Sequence, residues 1–167
     1  MLRCALLLLF FVSSLYGQLL PSFAGESLAG KTFTMPGAVH GHPAVLVVCF
    51  THASGPHCTE WTKRLESEFR NNAELEIYTA IFLEDVPKLA RGMAKSGIRS
   101  GVAKEDYDHY LIVIEHEKEV KAAVHFQDSD DVADAYLAVL AADGTVRWTS
   151  HGPVKDETVG KVRELVR

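Results

Sequence analysis

The stretch from Pro43 to Phe69 constrains the fold more than any other. Residues 44–50 read Ala-Val-Leu-Val-Val-Cys-Phe, an apolar, valine-rich run closed off by Pro43 before it and by Thr51-His-Ala-Ser-Gly-Pro-His57 after it. Such a run, too short for a helix of its own and bounded by turn residues, predicts a strand buried on both faces. The period then changes. Cys58, Trp61, Leu65 and Phe69 recur at helical spacing, with charged residues between them. Pro56 stands where a helix begins, a place where its missing N–H costs nothing. A buried strand therefore runs through a short loop into a helix that carries a cysteine in its first turn.

The remaining chain supplies enough material for one domain around this unit. Its 167 residues, 47% hydrophobic and 23% charged, can bury a core without metal or disulfide staples. Residues 1–17 read differently: a basic start at Arg3, an unbroken apolar run over 4–12, then Ser-Ser-Leu-Tyr-Gly17. This predicts a secretory signal removed near Gly17, with the folded domain over 18–167; an uncleaved anchor is the other reading, weakened by the brevity of the apolar run. Loss of Arg3 would take the formal charge from −5 to −6. An acidic exported chain without clustered Lys and Arg does not fit a nucleic-acid binder. With no second apolar segment of spanning length, the mature chain is expected to lack a transmembrane span.

Beyond the opening unit, residues 32–35 form a short strand candidate among Gly and Pro punctuation, and 74–83 a second buried strand. Asp85 and Pro87 are expected to start a helix with Leu89, Ala90 and Met93 on its buried face, ended by Gly97 and Gly101. A strand over 110–114, a short helix over 117–124, a strand over 135–141, an Asp143-Gly144 hairpin turn and a returning strand over 145–149 follow. Val159, Val162 and Val166 mark the inner face of a last helix. Parallel strands alternating with helices and then an antiparallel hairpin predict a three-layer α/β/α domain with a central mixed sheet and a C-terminal hairpin plus helix.

Two histidine and acid clusters are read as solvated loops. His40-Gly-His42 has no third ligand close in sequence, and Gln127-Asp-Ser-Asp-Asp131 lacks the glycine and terminal glutamate of a calcium loop. No metal ligands are assigned and no cofactor is expected. His109, His116, His125 and His151 sit in or beside secondary structure, and spacing alone brings none of them to Cys58.

The strand–loop–helix unit resembles the active-site layout of thioredoxin-like proteins, and residues 20–61 resemble the front half of their exported members. The segment Tyr136-Leu-Ala-Val-Leu-Ala-Ala-Asp-Gly-Thr-Val-Arg-Trp-Thr-Ser-His-Gly152, followed by a helix with an early Glu157, is similar to the mitochondrial ATP synthase assembly factor family ATP10. That resemblance implies a thioredoxin-like domain acting as an assembly chaperone for a membrane complex, with a protein as its partner. The sequence departs from the redox families at the loop. Where thioredoxins have Cys-x-x-Cys, Ser54-Gly-Pro-His57 stands, with Cys58 just after it; the proline those proteins carry before the hairpin strand is replaced in Asp134-Ala-Tyr136. Peroxiredoxins would need Thr where Gly55 stands. Residues 51–58 are also similar to the site of copper-delivering thioredoxin-like proteins, although the first of their two cysteines is absent.

With Cys4 leaving in the signal, Cys49 and Cys58 are the mature cysteines, and Cys49, mid-strand, is expected to pack as a small hydrophobe. That leaves Cys58 alone. In a first helical turn its thiol faces the positive end of the helix dipole, and His57 or His52 could add charge, which would make it a reactive thiolate. Alternatively it simply begins the inner stripe of its helix. The expected function is accordingly an exported binding or assembly module without a dithiol. A single-cysteine thiol oxidoreductase or peroxidase-like enzyme using Cys58 and His57 is the rival, and a copper carrier a more distant one. Trp148, with Arg147, on the returning hairpin strand is the expected partner anchor, whereas Trp61 belongs to the core.

Overall fold

The computed structural model describes residues 17–39 and 41–166. The expected signal therefore lies outside the described residues except for Gly17, and so does His40. Seven strands and four helices follow one another: β1 (Phe23–Ser27), β2 (Thr32–Met35), β3 (Ala44–Cys49), α1 (Gly55–Phe69), β4 (Glu76–Phe82), α2 (Lys88–Gly101), β5 (Tyr110–Val113), α3 (Glu117–Ala123), β6 (Tyr136–Leu140), β7 (Val146–His151) and α4 (Asp156–Leu165). Two 3-10 turns, Gly37–Val39 and Lys104–His109, precede β3 and β5.

The strands form one sheet in the order β2-β1-β5-β4-β3-β6-β7. Strands β3, β4 and β5 run parallel, while β6 lies antiparallel to β3, and β7 to β6. Alternation along β3 sorts the core into two layers. Its even residues Ala44, Leu46 and Val48 pack with Tyr78, Leu111 and Tyr136 under α3, whose Val120 and Ala123 are buried. The odd residues Val45, Val47 and Cys49 pack with Cys58, Trp61 and Leu65 of α1 and with Val159 and Val162 of α4. This is the expected α/β/α sandwich with a mixed sheet, and its C-terminal hairpin turns on Gly144 at φ +83. A Cβ there would come 2.6 Å from the Pro36 ring, so this position takes glycine for space as well as for backbone conformation.

Two elements depart from expectation. Strand β1 was not foreseen, because two of its three inward residues are Gly25 and Ser27, which give no apolar alternation. The small residues are needed: a Cβ on Gly25 would stand 3.0 Å from that of Leu111 on β5. Helix α2 is rotated from its expected phase. Leu89 is fully exposed and Met93 is 79% exposed, whereas Ala94 and Ile98 pack against Tyr110 and Ile112. The helix carries two apolar stripes at the same spacing, and spacing alone does not choose between them. Its cap also differs: Pro87 is the N-cap residue and no side chain caps the helix. Arg91 instead donates to the Val86 and Glu84 carbonyls and holds the entry to the helix.

Candidate functional site

At one end of the sheet, the end of β3 meets the first turn of α1. Cys49 closes β3 on the face that carries Val45 and Val47, so its side chain points beneath α1. Cys58 is the inward residue of that helix's first turn. The two are joined in a disulfide, Cα to Cα 6.3 Å. Both are almost wholly covered, 2% and 3% exposed, by Trp61, Ala135 and Leu137 among others. The expectation of a lone Cys58 beside an inert Cys49, and with it a module without a dithiol or an enzyme working through one cysteine, is thus overturned. The missing step was parity: with α1 lying on the odd face of β3, the last odd strand residue and the first inward helical residue must face each other. Scanning for Cys-x-x-Cys spacing could not reveal a pair nine residues apart.

The loop between the cysteines is tied down by its own polar groups. At the helix N-cap, the buried Ser54 hydroxyl donates to the Thr51 carbonyl (2.9 Å), and the Ser54 N–H donates to Thr51 Oγ1 (3.0 Å). Thr51 Oγ1 in turn donates to the Val132 carbonyl at 2.5 Å, which joins the loop to the segment that leads into β6. Ala135 at the end of that segment covers the cysteine pair, and the Val48 carbonyl lies 3.7 Å from Cys58 Sγ. His57 is half-buried one position before Cys58, roughly 100° around the helix from it. Its Nδ1 is buried with no hydrogen-bond partner among the described residues. His52 is exposed.

An aromatic and ionic network occupies the other layer at this end of the sheet. Phe50, Phe126 and Tyr136 pack edge to face or tilted with centroids 5.4–5.7 Å apart, and Lys121 Nζ lies over the Phe50 and Phe126 rings. His151 stacks on Tyr136 and meets Asp134 at 2.8 Å. The Tyr136 hydroxyl donates to Asp130 at 2.7 Å. Donation from the Gln127 N–H and then from Tyr136 holds the Asp130 carboxyl below its usual range, while burial and then Asp130 itself push the Tyr136 phenol well up. Nothing in the sequence alone pointed to this network, since its members come from four separate segments.

The expected partner anchors lie elsewhere. Arg147 is exposed on β7 and reaches the Leu165 carbonyl, and Trp148 is half-buried against the α1 and α4 core. His42 lies 3.5 Å from Glu74, at the opposite end of β3 from Cys49. His109 lies 3.6 Å from Glu76, beside an open cleft of about 650 Å³ that also includes Glu66 and Asp106. Burial and then Asp106 raise the Glu66 carboxyl above its usual range. Among the described residues no helix is long and apolar enough to cross a membrane.

No protein-family profile matches the chain, and neither does any curated protein. Neither comparison supports the expected likeness of residues 136–152 to ATP synthase assembly factors. Solved structures do match. The pneumococcal exposed lipoprotein thioredoxin Etrx1 from Streptococcus pneumoniae aligns at TM-score 0.61 and 12% identity, over 86% of this chain and 99% of that one. The thioredoxin domain of a thiol-disulfide oxidoreductase from Bacteroides vulgatus aligns at 0.60 and 14%, over 93% and 100%. BsSco, a member of the Sco family of cytochrome c oxidase assembly proteins in which a disulfide switch has been identified, aligns at 0.58 and 13%, over 89% and 93%. Identities this low speak for architecture only. The chain therefore has a thioredoxin-like fold, with its cysteine pair set inward from the loop, one at the strand end and one in the first helical turn.

Proposed function

We propose that this protein is an exported thiol–disulfide protein whose redox centre is the Cys49–Cys58 pair. The observation that carries this reading is the pairing itself, at the junction of β3 and α1. The structural neighbours named above include a thiol-disulfide oxidoreductase and a protein with a disulfide switch, which supports the same chemistry here.

The step balances as thiol–disulfide exchange. A thiolate of a protein partner attacks one sulfur, a mixed disulfide forms, and the other cysteine leaves as thiolate. A second partner thiol then resolves the mixed disulfide, so the partner gains a disulfide and this chain gains two thiols. Cys58 is the better leaving group, because the N-terminal dipole of α1 stabilises its thiolate, and attack therefore falls on Cys49. Once protonated, the Cys58 thiol can donate to the Val48 carbonyl. Covered as they are, both sulfurs must first be exposed by movement of the 51–57 loop, so exchange is expected to be slow and dependent on the partner.

The same burial favours a second reading, a permanent clamp between β3 and α1. One experiment separates the two. The protein is equilibrated in dithiothreitol buffers of graded potential and its thiols are trapped with a maleimide. Labelling of Cys49 and Cys58 is then read by peptide mass spectrometry, with near-ultraviolet circular dichroism reporting the fold. Paired labelling with one midpoint while the native signal persists supports the redox reading. Labelling that appears only as the fold is lost means a clamp.

A further inference from the structure

Helix α2 stands apart from the rest of the surface. All its charged residues, Lys88, Arg91, Lys95 and Arg99, are basic, in a chain whose net charge is −5. None of its residues is fully buried, and Leu89 and Met93, one turn apart, are the two most exposed large apolar side chains among the described residues. Exposed apolar side chains on a soluble surface are ordinary when scattered, but these two share a helix face with Gly92, Ser96, Gly97 and Ser100 and so protrude from it.

Lys88 and Arg99 border that face on one side, Lys95 lies just beyond them, and Arg91 lies on the opposite side of the helix. Lys95 meets Glu26 at 2.5 Å, Arg91 is half-buried and donates to two neutral carbonyls, and Arg99 lies over the Tyr107 ring, so neither arginine is paired with a carboxylate among the described residues. Lys88 is exposed, and Asp85 is the nearest free carboxylate before it in sequence. Glu84 is occupied by the Glu117 N–H.

We propose that α2 is a docking face for an anionic lipid surface, lying along it with Leu89 and Met93 in the interface and Lys88 and Arg99 at headgroup level. Charge complementarity selects an anionic occupant, since the remainder of this acidic chain would be repelled by one. Shape selects a lipid surface over an acidic protein. Two side chains protruding from a convex, otherwise small-residue face suit a deformable planar interface, whereas a folded partner would need a pocket cut to receive them. Gly92 and Gly97 also make α2 a weak helix by itself, one that gains most from a surface to lie on. This inference is independent of the redox reading.

Hydrogen exchange of the full chain with vesicles tests it locally, so that any binding by the N-terminal apolar run does not confuse the result. Vesicles of phosphatidylcholine with about 30% phosphatidylglycerol should slow exchange of the α2 amides at least fivefold at low salt, and pure phosphatidylcholine should not. Leu89→Ser with Met93→Ser, and separately Lys88→Glu with Arg99→Glu, should each abolish that protection; all four side chains are exposed, so folding is undisturbed. Unchanged exchange in α2, or protection that survives both double variants, overturns the proposal. Protection by an acidic amphipathic peptide but not by anionic vesicles overturns it as well, in favour of a protein partner.

Discussion

The indole N–H of Trp61 on α1 donates to the carbonyl of Gly152 at 2.8 Å, across a sequence distance of 91 residues, and so fastens the first helix to the turn between β7 and α4. Both residues are buried. The bond lies in the same layer as the cysteine pair, and whatever loosens it also loosens the cover over the disulfide.

Trp61→Phe should keep most of the packing but leave the Gly152 carbonyl unpaired, at a cost of about 1–3 kcal/mol. Trp61→Ala should cost about 3–5 kcal/mol, since Trp61 is only 1% exposed. Trp148→Ala, at a half-buried position, should cost clearly less. Urea unfolding of the three variants measures the order, and an equal loss for Trp61→Ala and Trp148→Ala would refute it.

Replacing both Cys49 and Cys58 with alanine should destabilise the oxidised protein by about 2–3 kcal/mol, the value expected for releasing a loop of this length. Wild-type protein reduced under native conditions should fall to nearly the stability of the double variant. A wild-type protein whose unfolding midpoint ignores a reductant that has opened the disulfide would contradict this.

Thr51→Val removes two hydrogen bonds that tie the 51–57 loop, one to the Val132 carbonyl and one from the Ser54 N–H. Each bond is worth about 1 kcal/mol, so the loss of both should raise the open population roughly thirtyfold. The rate of disulfide reduction in the folded state should rise by about that factor. Maleimide trapping over time, at a fixed dithiothreitol concentration, reads it directly.

Two carboxylates should give opposite pH behaviour. Asp130 has its folded value depressed, so the stability it contributes is present above the usual aspartate range and is lost as pH falls through the folded value. Tyr136→Phe should move that loss to higher pH, visible as an upward shift of the Asp130 titration by NMR. Glu66 has its folded value raised by burial, so its contribution is present below about 4.5 and is lost as pH rises. Glu66→Gln should therefore stabilise the protein at neutral pH, with the gain vanishing near pH 3.

By itself the sequence determined the layer architecture, because that rests on local patterns. The apolar run of β3, the stripe Cys58, Trp61 and Leu65, the Asp143-Gly144 turn and the valines of α4 each signal their element within one window, and all are found where expected. Elements without an unambiguous local pattern were left to tertiary structure. Strand β1 forms by pairing with β2 and β5, with room only for glycine at position 25, and the phase of α2 was decided by which of two equivalent stripes met Tyr110 and Ile112. The site was least legible of all. Whether Cys49 is an inert core residue or half of a disulfide depends on which face of β3 receives α1, a relation between two elements that no single window contains. The network around Tyr136 depends likewise on four segments meeting at one end of the sheet. Local periodicity specifies which side of an element is apolar; only packing specifies what that side touches.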